Sequence, residues 1–188
     1  MKLLMKLSAV ALLSLAALSA YAQQKLVPAQ SEIIFVSKQM GVPVEGHFKK
    51  FEAQISFDSA KLEASKVNFT VNIASATLGV PESDDELPKA TWFNTAKFPQ
   101  ATFASSSFKA LGGGKYDVAG KLSIKGIVRD VVVPVTMVQT GTVTTAAGVL
   151  SMKRLAFKIG EGEWADTSMV ADEVQVKFKF ALTGVGKL

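Results

Sequence analysis

Apolar and polar side chains alternate with a period of two through most of this chain, which limits the fold to strands that have one dry face. Ile33, Phe35 and Ser37 alternate first, then Ile55 and Phe57, then Val67, Phe69, Val71 and Ile73. Tyr116, Val118, Leu122 and Ile124 follow, then Val131, Val133, Val135 and Met137, then Leu155, Phe157 and Ile159. In the last segment Val174, Val176, Phe178, Phe180 and Leu182 share one face, while Glu173, Gln175, Lys177 and Lys179 hold the other. A sheet that is dry on one side and wet on the other is characteristically antiparallel. Turn signals fall at Asp58-Ser59-Ala60, Gly112 to Gly114, Gly141, Gly148 and Gly160 to Gly162, and no internal repeat is present. The pattern predicts an all-β fold, a single antiparallel β-barrel or sandwich of about eight strands.

The phase breaks once. Val44, Gly46 and Phe48 share one parity, and Phe51, Ala53, Ile55 and Phe57 share the other, so one residue near Lys49-Lys50 is extra. A β-bulge there would bend a long strand at a corner. From Val80 to Phe98 the alternation stops altogether, giving way to Pro81, Pro88, three acids and the Trp92-Phe93 pair. This stretch predicts a short helical excursion near residues 83–95, with Pro88 in the first turn of a helix ending near Asn94. It would pack over one end of the barrel with Trp92 and Phe93 pointing inward.

Residues 1–22 read as a cleaved secretory signal peptide: Lys2 and Lys6 start it, an apolar run from Leu7 to Ala20 follows, and Ala20-Tyr21-Ala22 supplies the cleavage site. The apolar run is shorter than the ~18–20 residues a membrane span needs. Residues 23–188 then form one exported, periplasmic domain. Losing Lys2 and Lys6 takes the net charge from +5 to +3, and no Lys/Arg block makes that a nucleic-acid footprint.

With no cysteine and one histidine, the chain has no disulfide scaffold, thiolate metal site or multi-histidine centre. His47 alternates with Glu45 and Lys49 and reads as a surface residue. Asp84, Asp85 and Glu86 are acids at a helix start, where the helix dipole explains them more simply than a metal or an acid/base pair. Gly160-Glu161-Gly162 lacks the strand-turn-helix context of a nucleotide fingerprint, and Ser105 to Ser107 lack a nucleophile elbow. No metal, cofactor or catalytic signature emerges, and the chain reads as a non-enzyme. All twelve phenylalanines lie beyond residue 22, most on the buried phase or in the excursion. An eight-stranded barrel is just wide enough to be filled by such side chains or to hold one small ligand.

In order and spacing these segments resemble the YceI family of secreted, lipocalin-like, polyisoprenoid-binding proteins. The resemblance runs from Ser31 to Gly41, through Val44-Glu45-Gly46-His47-Phe48, Ile55-Ser56-Phe57-Asp58, Trp92-Phe93 and Phe98 to Phe103. It continues over Tyr116 to Gly126, Val132 to Val135, Ile159-Gly160, Trp164 and Asp172-Glu173-Val174. It implies a lipocalin-like barrel whose interior holds an amphiphile with a long isoprenoid chain. Carried onto matching positions, the lining would comprise Phe35, Phe57, Phe69, Trp92, Phe93, Phe103, Phe157 and Phe178.

The chain departs from the family pattern in two places. Gln39 stands where many relatives have histidine, and Asp84-Asp85-Glu86-Leu87 stands where they often carry Arg-Asp-x-His-Leu. The loss of basic and imidazole groups favours a neutral head, such as a quinone or fatty amide, over a diphosphate. The leading expectation is a periplasmic binding or carrier protein for an isoprenoid-type lipid. The alternatives are a non-catalytic envelope interaction protein with a filled barrel and, last, an enzyme using Asp84, Asp85 or Glu86. A homodimer is left open, since no exposed apolar patch in the sequence assigns one.

Overall fold

A computed structural model of the chain describes residues 23–188, and the segment read as a signal peptide lies outside the described residues. The first five strands are β1 (Lys25–Leu26), β2 (Glu32–Gln39), β3 (Val42–Phe48), β4 (Phe51–Ser56) and β5 (Lys66–Asn72). Next come β6 (Ala76–Thr77), the single α-helical turn α1 (Pro81–Asp84), β7 (Gln100–Gly112), β8 (Lys115–Ile124), β9 (Ile127–Thr140), β10 (Val143–Lys153) and β11 (Glu173–Thr183). All eleven strands belong to one curled, antiparallel sheet in the order β4-β5-β7-β8-β9-β10-β11-β2-β3-β6, with β1 on β11. Nine strands have six or more residues, close to the eight expected, and β1 and β6 add short pairings at the margins.

The two ends of the sheet meet through the chain itself. β3 pairs with β2, and after Lys49-Lys50 the continuing chain pairs with β5 at the opposite end. The expected bulge is therefore a full corner. Lys49 N donates to Ser75 O (3.2 Å), Lys50 N to Ser75 Oγ (2.9 Å) and Asn72 N to Lys50 O (2.9 Å), so the corner satisfies its backbone against the segment following β5. Two hairpins turn through Met40-Gly41 and Lys125-Gly126, each pair with positive φ, as the tight right-twisted turn requires.

Three local expectations are corrected. Leu155, Phe157 and Ile159 are not a strand: Arg154–Phe157 is a 3-10 turn closed by Lys158 at φ 55°. Phe157 and Ile159 are nevertheless buried, so two-residue spacing here marks burial without a strand. Gly148 is not a turn but lies mid-strand in β10, opposite Val135 and Phe178. The excursion is helical only at Pro81–Asp84, with Pro81 in the first turn, and residues 85–94 are successive turns. Trp92 N and Asn94 N both bond Lys89 O, and Asn94 sits at φ 51°, which replaces the helix expected after Pro88.

The excursion and the segment after β10 close one end of the sheet together. Gly160 N and Glu161 N both donate to Thr91 O at 2.8 Å. The buried Lys125 ammonium bonds Ala90 O (2.8 Å) and Lys158 O (2.5 Å) and pairs with Glu161 (3.0 Å). Arg154, only 2% exposed, holds the centre of this plug. Its guanidinium donates to five carbonyls, those of Ala171 (3.0 Å), Ile159 and Gly160 (2.9 Å each), and Trp164 and Val170 (2.6 Å each). Burial pulls the Arg154 pKa below its ordinary value, and the Asp172 carboxylate opposes the shift.

Arg154→Met should cost about 3–5 kcal/mol, because it removes five hydrogen bonds and strands the buried carbonyls that accepted them. Calorimetry should show Tm falling by on the order of 10 °C. Arg154→Lys, with three donors for five acceptors, should recover only part of the loss. A Met variant as stable as the parent would show that the plug does not depend on this residue.

Candidate functional site

Two hydrophobic clusters occupy the interior. One contains Ile33, Phe57, Tyr116, Met137 and Phe180, and the other, beneath the excursion, contains Ile73, Leu87, Phe93, Phe157 and Ile159. A cavity of about 320 Å³ runs through both. That is the lower end of the ~300–1,000 Å³ found for ligand pockets. The structure places Phe35, Phe57, Phe69, Trp92, Phe93, Phe103 and Phe178 on its wall. Phe157 is not on the wall, because the turn at Arg154–Phe157 directs it into the cluster under the excursion, where it is 3% exposed.

The rings form a connected lining. Phe57 packs against Phe108 and Tyr116, with centroids 5.7 and 5.3 Å away. Phe180 stacks on Phe69 at 4.2 Å and on Phe178 at 4.9 Å. Phe35 meets Phe48 at 5.1 Å, Phe48 meets Phe93 at 6.3 Å, and Trp92 meets Trp164 at 5.5 Å. Phe180 and Tyr116 lie on the alternating phase, so period two alone identified them as inward. Arg154 and Trp164 also line the cavity but fall outside the alternation, because their segment has no strand register.

The three acids do not converge, and among the described residues no group of three His, Asp or Glu side chains is placed to hold a metal. Asp84 accepts bonds from the Thr77 hydroxyl and Leu78 N–H, the former being the larger reason its carboxyl is held below the usual aspartate range. The tie is intact at neutral pH and is lost only as pH falls through that lowered value. Asp85 is exposed, Glu86 pairs with Lys89, and Glu86 alone of the three reaches the cavity wall. His47 lies outside, 3.7 Å from Glu45.

What keeps the lumen open is a pairing of rings with strand glycines. Phe35 lies over Gly46, its cross-strand partner, so closely that a Cβ there would stand 2.2 Å from Cζ. Phe178 lies over its partner Gly148 and Phe103 over Gly120, with such a Cβ 2.6 Å from the ring in both cases. Each glycine lets a ring lie back along the wall where a side chain would push it into the lumen. The atoms nearest a Cβ at Gly46 all belong to the movable Phe35 ring, so Gly46→Ala should fold with that ring swung inward and a smaller cavity, visible in a crystal structure. Gly148→Ala also meets Pro134 O at 2.3 Å, which is backbone, and should lose about 1–3 kcal/mol in a denaturant titration. An unchanged lumen in the first variant would contradict this role for glycine.

Several known proteins share the fold. The crystal structure of Burkholderia cenocepacia BcnA superposes with a TM-score of 0.81 at 49% identity, covering 83% of this chain and 98% of that one. A polyisoprenoid binding domain from Saccharophagus degradans implicated in plant cell wall breakdown superposes with a TM-score of 0.70, over 86% of this chain and 98% of that one. At 16% identity that likeness speaks for the fold alone. Protein YceI of Escherichia coli O157:H7 and a UPF0312 protein of Ectopseudomonas mendocina are each 38% identical over 96 residues, 51% of this chain. The match spans about half the length of these curated relatives. The YceI-like domain itself matches residues 24–182, the whole of the sheet but its last residue, and the chain belongs to the YceI-like family.

Proposed function

We propose that this protein is a periplasmic binding or carrier protein for an isoprenoid-type lipid, and that the lumen is where the chain of that lipid lies. The observation that carries the reading is the aromatic cavity of about 320 Å³ inside a one-sided sheet. That cavity weighs against the filled-barrel alternative. An enzymatic role has little support, because Asp84 is engaged in holding the excursion and Asp85 faces solvent. The likeness to a polyisoprenoid binding domain supports the choice of ligand, and the leader-like residues 1–22 support export. Among the described residues no helix is long and apolar enough to cross a membrane.

The energetics favour this class of ligand. Each buried methylene gains about 0.8 kcal/mol, so ten supply ~8 kcal/mol, the free energy of micromolar binding before the cost of association. A longer prenyl chain offsets that cost without any charged contact. Protein purified from its own host without detergent should retain a prenyl lipid in native mass spectrometry. Phe69→Glu or Phe178→Glu, which places a carboxylate in the stacked rings, should reduce retention at least tenfold while circular dichroism stays native. Consistently empty protein, together with Trp92 and Trp164 fluorescence indifferent to added prenyl lipids, would overturn the reading.

A further inference from the structure

On the outside of the sheet, positive charge and exposed apolar surface gather on the same strands. β7 to β11 hold seven basic residues against three acidic ones, whereas residues 23–188 as a whole carry only +3, so the rest of the described chain is slightly negative. Each of the three acids stands beside a lysine of the adjoining strand. Asp130 pairs with Lys121 at 2.9 Å, and Asp117 and Glu173 are the register partners of Lys109 and Lys153. Lys115 and Lys177 are exposed with no acid in register on either side, and Lys179 has Glu32 opposite it on β2.

The apolar part lies between these lysines. Val132 and Val138 on β9 are 57% exposed, out of phase with Val133, Val135 and Met137 on the lumen wall, and Val149 on β10 is 41% exposed. Val149 is opposite Lys177, and one row across β8 to β11 reads Lys115, Thr136, Ala147, Lys179, which puts a lysine on each flank of the strip. The valines also border a fork in the wall. β9 and β10 pair only as far as Val135 opposite Gly148, because the next residue of β9, Pro134, has no N–H to give. Beyond it β9 keeps to β8 and β10 to β11, and the exposed Val132 and Val149 are chain neighbours of Val133 and Leu150 on the lumen wall.

Exposed apolar surface bordered by lysines suits an interface where side chains sink beneath phosphates while ammonium groups stay level with them. A second copy seated face to face would set lysines against lysines, whereas an anionic bilayer complements them. We propose that the outer face of β8 to β11 is a docking surface for a bilayer containing anionic phospholipid. Val132, Val138 and Val149 enter the head-group layer, and Lys115, Lys177 and Lys179 lie on the phosphates. The proposal rests on the lipid-binding reading above and adds where a protein that carries a lipid meets the membrane it exchanges with.

The test is co-sedimentation of protein purified from its own host with vesicles of phosphatidylcholine, alone or mixed with phosphatidylglycerol. The protein should bind the mixed vesicles at least tenfold more tightly, and raised salt should weaken that binding. A lysine at an anionic surface strengthens adsorption about fivefold, so Lys115→Gln with Lys177→Gln should weaken it at least tenfold. Val132→Thr with Val149→Thr, which keeps β-branched side chains in the strands, should weaken it about fivefold. Lys38→Gln with Lys66→Gln, which removes the same charge from β2 and β5, should leave it unchanged, and native mass spectrometry should find the same retained lipid in every variant. Equal losses in the two lysine pairs, or none in either, would overturn the docking face. So would self-association abolished by the same substitutions in a protein that binds neither vesicle, which would assign the face to a second copy. Protein that retains lipid yet ignores both vesicles would overturn the docking face and leave the lipid-binding reading standing, whereas empty protein is the failure of that reading.

Discussion

A curled sheet with a dry inner face has to dispose of its inward side chains, and protein interiors close-pack unless something prevents it. Here the prevention is a set of phenylalanines lying over glycines of the neighbouring strand, two of them register partners and the third, Phe103 over Gly120, a diagonal neighbour. Phe35 on Gly46, Phe103 on Gly120 and Phe178 on Gly148 turn rings that would fill the lumen into panels that wall it. The arrangement couples cavity shape to strand register, since a slip of one residue would uncouple each ring from its glycine. The stacked Phe69, Phe180 and Phe178 extend the panel along the wall and give it stiffness.

The other requirement is an end closure that does not reach into the lumen. Turns rather than a helix close this end, and turns leave many carbonyls without intrasegment partners. Arg154 answers for five of them at once, and Lys125 ties Ala90 to Lys158 and Glu161. The chemistry is inward-facing backbone against a planar cation, which suits guanidinium geometry better than an ammonium. The N–H donors of Arg154 are all engaged in building this end.

Much of this was legible in the sequence because strand pairing imposes period two wherever one face is buried. The wall positions of Phe35, Phe57, Phe69, Phe103 and Phe178 follow from it, and the phase change at Lys49-Lys50 located the corner. The family resemblance rested on the same residues. Failures came where the inward face carries small residues or where structure is non-local. β10 presents Thr144, Ala146 and Gly148 inward, so its pattern faded and Gly148 read as a turn when it was a bed for Phe178. Phe157 kept strand spacing inside a turn fixed by Arg154, and an arginine that collects carbonyls from residues 159 to 171 leaves no trace in its own neighbourhood. The unpaired donors of Ser37 and Trp92 emerge only when the surrounding bonds are enumerated in three dimensions.

The central claim is that the aromatic lumen is occupied lengthwise by an apolar chain. A crystal structure of the protein with a prenyl lipid brominated at its chain terminus tests it most directly, because anomalous scattering locates the bromine without reference to a fitted ligand. The account predicts a single strong peak inside the sheet, with lipid density continuing along the Phe69, Phe178 and Phe180 stack. Bromine found only on the outer face of the sheet, with those rings collapsed into the lumen, would contradict it.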